Sequence, residues 1–459
     1  MNASLSLPDA DAAERIARFL AKETSRFHAE HPRTAALHQQ ASRRFLFGVP
    51  MHWMADAPSP VPLFVDHAEG ATLHDADGHT IVDFCLGDTG AMFGHGPPPV
   101  VRTLAEFGSK GATTMLPSVT ALEVAALLEQ RFGLPMWQFT ATASDANRFV
   151  LRWARAITRR KHIVVFNGCY HGTVDDVFVD LASDGSTHTR PSLLGQVHDL
   201  STYTRVVEFN DLPGLQAALE MGDVACVITE PVLTNIGMVL PEPGFLDGVR
   251  ALTRKHDALL VIDETHTISC GPGGYTAAFG LEPDVLVIGK PIAGGTPGAA
   301  YGFTSDVGAR MQTAKNNAPS GHSGIGTTLS AGLLTLRLMR AMLAEVMTEA
   351  AYAHMFAICR YVADGLENAI ARHGLPWTVT RIGARCEYQF APHRPRNGSE
   401  ARATFNETLE AALHLALLNR GVLLTPFHNM VLACPAHTMH DAEKLIAAFD
   451  NALEDLAAA

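Results

Sequence analysis

An aspartate and a lysine each follow a short apolar run of the chain. Asp263 comes directly after Leu259–Ile262, and Lys290 follows Val285–Ile288 after one glycine. Apolar runs this short, bounded by turn residues, are typical of strands that are buried on both faces, as in a parallel sheet. Ligands of open α/β sheets bind beyond the carboxyl ends of the strands, so we expect both side chains to face one crevice. The two residues by themselves indicate a lysine–carboxylate site or, as the alternative, a buried structural ion pair.

The sequence on both sides of this stretch alternates between helix and strand patterns. In the middle of the chain, helices are predicted near Leu122–Phe132, Ala146–Arg159 and Phe245–His256, and strands near Ile163–Phe166 and Ala225–Thr229. Later helices are predicted near Leu329–Met347, Ala353–His373, Ala401–Asn419 and His440–Leu456, and strands near Arg385–Phe390, Val422–Thr425 and Met430–Ala433. The chain begins with a predicted helix over Asp9–His28, and an Asp-Gly step at Asp77–Gly78 predicts a hairpin.

These patterns predict an α/β protein with two domains. Residues 100–335 are expected to form a large, doubly wound domain around a mainly parallel sheet. Residues 1–99, with the N-terminal helix, a loop and the hairpin, are expected to fold together with residues 336–459. Both chain ends would then form one smaller α+β domain.

Composition limits the classes of function. The chain has 459 residues, of which 47% are hydrophobic and 18% charged, with a net charge of −12. That charge argues against binding to nucleic acid or to an anionic membrane, and no apolar stretch approaches the roughly 20 residues of a membrane span. Seven cysteines without a C-x-x-C pair, and an N-terminus without a secretory pattern, predict a cytoplasmic protein with reduced thiols. The 22 histidines show no metal-ligand spacing, so no metal is expected.

Three motifs around the aspartate and the lysine carry a family resemblance. They are the D-E step that begins at Asp263, the lone G-K step that ends at Lys290, and the G-G-T-P-G-A that follows it. Over residues 70–343 they resemble the class III aminotransferases, pyridoxal-phosphate enzymes of fold type I, near the branch of β-amino-acid transaminases and glutamate-1-semialdehyde aminomutases. The resemblance implies that Lys290 forms a Schiff base with the cofactor aldehyde. It also implies that Asp263 keeps the pyridine nitrogen protonated, so that the ring can accept electrons.

A phosphate-binding segment is predicted where small and hydroxyl residues precede a helix. The segment TATASDANRF, residues 140–149, has this composition, and helix N-termini bind anions through backbone N–H groups. It is similar to the family's S-G-T-E-A-N, which implies that Thr142, Ala143 and Ser144 hold the cofactor phosphate. Because Ala143 replaces a glycine and Asp145 a glutamate, we expect an ordinary φ at Ala143. A plain helix N-cap is the alternative.

Four further residues acquire roles beside the cofactor from the resemblance. The motif GCYHG is similar to the family's G-x-Y-H-G, which implies that Tyr170 stacks on the cofactor ring. Thr265 stands where the family usually has the valine of the opposite ring face, and the neighbouring His266 is expected to reach the ring hydroxyl. Glu230, in an E-P step after another buried strand, is assigned a supporting role. A structural role is the alternative for Tyr170 and for Glu230.

One loop is predicted to act across a dimer interface. The segment HSGIGTTLSA, residues 322–331, resembles the family's G-T-L-S-G-N-P, whose threonine reaches the cofactor phosphate of the partner subunit. The alignment of T-L-S selects Thr328, with Thr327 as the competing choice, since the asparagine and proline of the motif are missing here. The resemblance therefore implies a homodimer with shared active sites.

Two segments are predicted to form the substrate pocket. β-Amino-acid members of the family carry carboxylate-binding arginines at positions where this chain has Trp53, beside His52, and the pair Phe427–His428. The resemblance thus implies a donor amine that is apolar or hydroxylated, although a core or interface role would also fit these segments. The keto-acid acceptor still needs a cation, for which Arg385 is the first candidate and Arg44 the second.

The function implied by the resemblance is amino-group transfer. The leading prediction is a pyridoxal 5'-phosphate-dependent transaminase that moves an amino group from a primary amine to a keto acid through a Schiff base on Lys290. The amine would be apolar or hydroxylated, with a β-amino acid left open. A 2,1-aminomutase of the glutamate-1-semialdehyde type shares the same framework and is the first alternative. A non-catalytic binding protein that has kept the fold is the second.

Overall fold

The computed structural model describes residues 10–459 of the chain, and these form two compact units. The large unit contains Pro97–Tyr352 and Pro395–Ala403, and the small unit contains 10–96, Ala353–Arg394 and Thr404–Ala459. The helix expected over Asp9–His28 is observed from Ala10, and Asp9 lies outside the described residues.

The helices are α1 (Ala10–Glu30), α2 (Pro32–Ala41), α3 (Pro98–Phe107), α4 (Val119–Phe132), α5 (Ala143–Thr158), α6 (Leu212–Glu220), α7 (Phe245–Lys255), α8 (Gly274–Phe279), α9 (Ser305–Asn317), α10 (Leu333–Ala341), α11 (Glu349–Arg372), α12 (Gly398–Arg402), α13 (Glu407–Asn419) and α14 (Met439–Ala458). The strands are β1 (Val65–Glu69), β2 (Thr72–Asp75), β3 (Thr80–Asp83), β4 (Met136–Thr140), β5 (His162–Phe166), β6 (Val179–Leu181), β7 (Thr187–Thr189), β8 (Thr204–Val207), β9 (Val224–Thr229), β10 (Leu259–Asp263), β11 (Val285–Ile288), β12 (Ala299–Phe303), β13 (Thr378–Ile382), β14 (Arg385–Gln389), β15 (Val422–Leu423) and β16 (Met430–Leu432).

The large unit is organised around a sheet with the strand order β4-β12-β11-β10-β9-β5-β8. The five strands from β11 to β8 run parallel, and β12 is antiparallel to both of its neighbours. Every residue of β9, β10 and β11 is buried, which explains why these strands are continuous apolar runs in the sequence. The prediction of an α/β fold with a mainly parallel sheet is confirmed.

Helix α5 fixes the position of one face of this sheet. The helix contacts β4, β9, β11 and β12, and its Phe149 lies in one buried cluster with Val165 of β5 and Val261 of β10. The helix begins at Ala143, three residues after the end of β4, because the side chain of Thr142 caps its first turn. The N-terminus of α5 is thereby placed near the carboxyl ends of the central strands.

The small unit is assembled from both ends of the chain. Strand β15 pairs in parallel with β3, next to the hairpin of β2 and β3 that the Asp77–Gly78 step predicted. Gly78 has a φ of +93°, a conformation that glycine adopts without strain. Helix α1 packs on α13, and Phe27, Leu73 and Leu415 share a buried cluster. A second sheet has the order β13-β14-β16.

Several boundaries differ from those expected from the sequence. The helix expected over Ala401–Asn419 is two helices, because the side chain of Asn406 accepts a hydrogen bond from the backbone N–H of Leu409 and starts α13 anew. The helix expected from Leu329 begins at the fourth residue after it and ends in a π-helical turn. The large unit extends to Tyr352 rather than to residue 335, because α10 packs on α3 and α4.

Two further expectations concern the cysteines and the membrane. All seven cysteines are buried and none forms a disulfide. None of the helices within residues 10–459 is both long and apolar enough to cross a lipid bilayer.

Candidate active site

Asp263 and Lys290 lie at the same edge of the large sheet, as expected. Asp263 is the last residue of β10 and is paired with Val287 of the parallel neighbour β11, and Lys290 comes two residues after β11. Both residues line a cavity of about 260 Å³, together with residues that follow β4, β5 and β9 and residues that directly precede β12. The order of the parallel strands therefore brings the acid and the amine into one crevice.

The Asp263 carboxylate is buried and receives three hydrogen bonds. Asn147 Nδ2 and His171 Nδ1 approach Oδ2 at 2.8 Å and 3.0 Å, and the backbone N–H of Thr265 donates to Oδ1 at 3.1 Å. Burial raises the pKa of Asp263, but the hydrogen bond and charge of His171 and the bonds from Thr265 and Asn147 together lower it to about 2. Burial lowers the pKa of His171, but interactions with Asp263 and Cys169 together raise it to about 10. Asp263 is therefore held as an anion inside the protein.

The glutamate of the D-E step has a different task. The Glu264 carboxylate accepts hydrogen bonds from Thr267 Oγ1 at 2.5 Å and from the backbone N–H groups of Tyr275, at 3.1 Å, and Thr276. Burial raises the pKa of Glu264 despite these bonds. Glu264 thus holds the loop after β10 to the first turn of α8, and this leaves Asp263 alone to face the cavity.

Lys290 has a backbone conformation that is unusual for its residue type. Its φ is +50°, in the left-handed region that side chains with a Cβ seldom adopt. The preceding Gly289 lies so close to α5 that a Cβ there would approach the Cβ of Ala143 to 2.9 Å. The Lys290 ammonium nitrogen contacts Nε2 of His266, which is itself buried. Strained backbone of this kind is concentrated at functional sites.

The N-terminus of α5 forms the opposite wall of the cavity. Thr142 Oγ1 accepts a hydrogen bond from the backbone N–H of Asp145 at 3.1 Å, and Ser144 Oγ accepts one from Thr173 N at 3.0 Å. Ala143 has an ordinary φ, as expected, because it is the first residue of the helix. Gly172 is needed beside Ser144, since a Cβ at Gly172 would lie 2.1 Å from Ser144 Oγ.

The cavity fits the cofactor that the sequence implies. It offers an amine for an aldehyde, a buried carboxylate for a pyridine nitrogen and a helix N-terminus for a phosphate. Four buried polar atoms of its lining residues have no hydrogen-bond partner among the described residues, namely Asn147 Oδ1, His171 Nε2, Glu230 Oε1 and Thr265 Oγ1. Buried polar atoms are normally paired, so a polar ligand is expected to contact them. Tyr170, Thr265 and His266 also line the cavity.

The loop predicted to reach a partner subunit lies apart from this lining. Thr328 is exposed, in a turn in which Thr327 Oγ1 and Ser330 Oγ are 3.0 Å apart. Neither threonine lines the cavity of its own chain. Their roles stay predictions.

The residues predicted to bind substrate lie in the small unit. The rings of Trp53 and Phe427 are 6.2 Å apart and nearly perpendicular, and both line an apolar cavity of about 510 Å³. The structure thus brings the two expected segments together. His52 begins the short 3-10 helix that contains Trp53, and Arg44 is exposed in the preceding turn. The roles of these residues in substrate binding stay predictions.

The other two small-unit candidates are buried. Arg385 on β14 is fully buried and donates hydrogen bonds to Thr89 Oγ1 at 2.8 Å and to Met430 Sδ at 3.2 Å. His428 Nδ1 is 3.1 Å from Oε1 of Glu387. Burial lowers the pKa of His428, but the carboxylates of Glu387, Asp88 and Glu410 together raise it. A substrate role for either residue likewise stays a prediction.

Three residues of the site were not singled out from the sequence. Asn147 and His171 hold Asp263, and both stand inside motifs that had been recognised, as the final asparagine of the phosphate segment and as the histidine of GCYHG. Their positions in those motifs were the available signal. Thr234, which contacts both Glu230 and His266, carries no such signal, because its role depends on how a loop folds back.

The fold and the site together define a pyridoxal-phosphate-binding α/β protein of fold type I. Residues 53–456 match the family described as Aminotransferase class-III. The chain belongs to the class III aminotransferases, and the cofactor expected from the sequence, pyridoxal phosphate, is that of the family.

Similar proteins carry two kinds of name. A glutamate-1-semialdehyde 2,1-aminomutase of Anaeromyxobacter dehalogenans is 33% identical over 84% of this chain and 89% of its own length. The crystal structure of a glutamate-1-semialdehyde-aminomutase from Pseudomonas aeruginosa PAO1 is 49% identical, with a TM-score of 0.95 over 97% of this chain and 99% of its own. A β-phenylalanine aminotransferase from Variovorax paradoxus is 27% identical, with a TM-score of 0.82 over 95% and 97% of the two chains.

The pairing of His171 with Asp263 predicts a pH dependence of stability. His171 has a folded pKa of about 10, above its ordinary value of 6.5. The stabilisation that protonated His171 gives to the folded state is therefore complete below pH 6.5 and is lost as the pH rises towards 10. In the His171→Asn variant of the apoprotein, this part of the decline in melting temperature with rising pH should disappear. The melting temperature between pH 6.5 and 10 is the measurement.

His414→Asn is the matched control for this test. Burial lowers the pKa of His414 to about 4, so this histidine is already neutral throughout the same pH range. Its replacement should leave the slope unchanged. If the melting temperatures of His171→Asn and His414→Asn both fall with pH in parallel with that of the wild type, the assignment of an imidazolium at position 171 is wrong.

Proposed function

We propose that this chain is a pyridoxal-phosphate-dependent aminomutase, an enzyme that moves an amino group between adjacent carbons of one small substrate. The observation that supports a reaction on an amino group is that Lys290 and the anionic Asp263 line the same cavity. The intramolecular form of the reaction is supported by the names of the relatives, above all by the 49% identical protein from Pseudomonas aeruginosa. The substrate class would be a small carboxylic acid with an amine next to a carbonyl.

Bound pyridoxal phosphate supplies a carbonyl that can bond to an amine and a ring that accepts the electron pair of a neighbouring C–H bond. The protein has to provide the rest. Asp263, held as an anion by His171 and Asn147, favours a positive charge at the pyridine nitrogen. The first turn of α5 and Ser144 offer donors for the phosphate.

Lys290 would perform the proton transfers. Its Nζ is the amine at the carboxyl end of β11, and the same atom would take a proton from one substrate carbon and return it to another. An amine can do this only while it is unprotonated, so its proton needs a neighbouring acceptor. His266 Nε2 is in contact with Nζ and can accept that proton.

Lys290→Ala should lower turnover at least about a thousandfold, an increase in the barrier of about 4 kcal/mol. The variant should still bind pyridoxal phosphate through the remaining contacts, but borohydride should no longer attach the cofactor to the protein. Lys315→Ala, at an exposed position on α9, is the control and should behave as the wild type. Covalent attachment that survives in Lys290→Ala would contradict the assignment.

A transaminase that acts on an apolar amine is the second candidate. The aromatic pair Trp53–Phe427 and the apolar cavity that it lines favour a substrate without a distal carboxylate at these positions. The 27% identical β-phenylalanine aminotransferase supports amino transfer to a second substrate on a similar fold.

The number of substrates separates the two reactions. The mutase should convert glutamate 1-semialdehyde alone into the isomer with the amino group on the terminal carbon, with no second substrate consumed and no co-product released. A transaminase should instead need both an arylalkyl amine and pyruvate, and should release alanine. We expect the first outcome in an assay by mass spectrometry. Turnover of the amine pair, with glutamate 1-semialdehyde inert, would establish the second candidate instead.

We also infer that the enzyme is a homodimer in which Thr328 contacts the cofactor phosphate of the partner subunit. Loss of one such hydrogen bond in Thr328→Ala should weaken cofactor binding by about 1 kcal/mol, or about fivefold. Thr327→Ala is the matched control and should bind the cofactor as the wild type does. A monomer in sedimentation experiments that binds the cofactor at full affinity would overturn the inference.

A further inference from the structure

A row of hydrogen-bonding side chains leads from the cavity amine to a buried acid. Lys290 Nζ contacts His266 Nε2, and His266 Nδ1 is 2.5 Å from Thr234 Oγ1. The Thr234 hydroxyl in turn donates to Glu230 Oε2. The direct distance from His266 Nδ1 to Glu230 Oε2 is 3.5 Å, too long for a good hydrogen bond, so the threonine is the connecting group.

The sheet explains why these four residues meet. Glu230 directly follows β9, His266 lies just after β10, and Lys290 lies just after β11. The three strands are parallel neighbours, so their carboxyl ends form one row. Thr234 reaches this row because the segment after β9 turns back on itself, with Leu233 and Val239 paired as an antiparallel bridge.

The three residues beyond Lys290 are buried. Glu230, Thr234 and His266 are 2%, 0% and 4% exposed. A carboxylate in such surroundings is costly unless hydrogen bonds or an opposite charge compensate for the lost water. Only one oxygen of Glu230 has a partner among the described residues.

We propose that Glu230, Thr234 and His266 form a proton relay that takes a proton from Lys290 and returns it. This inference rests on the proposed function, because it concerns the protonation of the reacting amine. It assigns to His266 a task at the amine in addition to the ring contact expected from the sequence. Thr234 becomes a positioning and proton-transferring residue.

The N–H bond of the Lys290 ammonium breaks and an N–H bond forms at His266 Nε2, while the proton on His266 Nδ1 passes to Thr234 Oγ1. The original hydroxyl proton of Thr234 passes to Glu230 Oε2. The net change is a neutral amine and a neutral carboxylic acid in place of an ammonium and a carboxylate. No other reactant is needed, and the reverse sequence reprotonates the amine.

The relay can be tested in the formation of the bond between Lys290 and pyridoxal phosphate in the apoprotein. The amine must lose a proton to attack the aldehyde, and the rate follows from the rise in visible absorbance after mixing. This measurement needs no substrate, so it does not depend on which reaction the enzyme catalyses. The rate is compared in H₂O, in D₂O and in their mixtures.

Four variants distinguish proton transfer through Thr234 from a purely structural role of this residue. Thr234→Val keeps the shape but removes the hydroxyl, Thr234→Ser keeps the hydroxyl, and Glu230→Gln removes the acceptor. Asn235→Ala is the matched control, since Asn235 Nδ2 also contacts His266 Nδ1, at 3.1 Å, without leading to Glu230. The equilibrium dissociation constant of pyridoxal phosphate is measured for each variant.

We expect Thr234→Val and Glu230→Gln to slow bond formation about 100-fold, which is the lower range of what a positioned acid or base contributes. Thr234→Ser and Asn235→Ala should keep the wild-type rate. A plot of the wild-type rate against the deuterium fraction of the solvent should be curved, because several protons move together. For Thr234→Val the same plot should be a straight line, and the dissociation constant of pyridoxal phosphate should equal that of the wild type.

Two results would overturn the relay. One is equal rates in Thr234→Val and Thr234→Ser, which would show that the hydroxyl does not matter. The other is weaker binding of pyridoxal phosphate by Thr234→Val while its plot of rate against deuterium fraction stays curved as in the wild type. That result would show that Thr234 has a purely structural role. A wild-type apoprotein that takes up no pyridoxal phosphate would overturn the relay and the proposed function together, whereas the first two results leave the proposed function intact.

Discussion

The burial of a negative charge at the end of β10 is the constraint on which the rest of the site depends. A carboxylate inside a protein is tolerated only where donors surround it, and Asp263 has three of them. They come from α5, from the loop after β5 and from the loop after β10. The need to satisfy one anion therefore fixes these three segments relative to one another. It also leaves the outer side of the carboxylate open to a cationic nitrogen.

The parallel sheet places several reactive side chains along one edge. An ionisable residue lies at or just after the carboxyl end of each of the strands β9, β10 and β11, namely Glu230, Asp263 and Lys290. Loops that follow these ends add His266 and Thr234. Since neighbouring parallel strands lie about 4.8 Å apart, such residues come within the reach of single hydrogen bonds. The same edge meets the N-terminus of α5, which suits an anion.

One departure of this chain from the family pattern lies close to the reacting amine. Thr265 stands in place of the usual valine, and its neighbour His266 contacts the amine of Lys290. Relatives named as aminomutases and as aminotransferases share this framework. The choice between those reactions therefore depends on substrate contacts and proton handling rather than on the fold.

The sequence alone was sufficient for the features that local patterns encode. Buried parallel strands are continuous apolar runs, so β9, β10 and β11 were found close to their true bounds, and with them Asp263 and Lys290. Motif resemblance added the phosphate segment and the cofactor. The contacts of Asn147 and His171 with Asp263 and the position of Thr234 were decided by tertiary structure, because each joins residues distant in sequence or depends on how a loop folds back. Local patterns report which face of an element is buried, but not which atoms meet across elements.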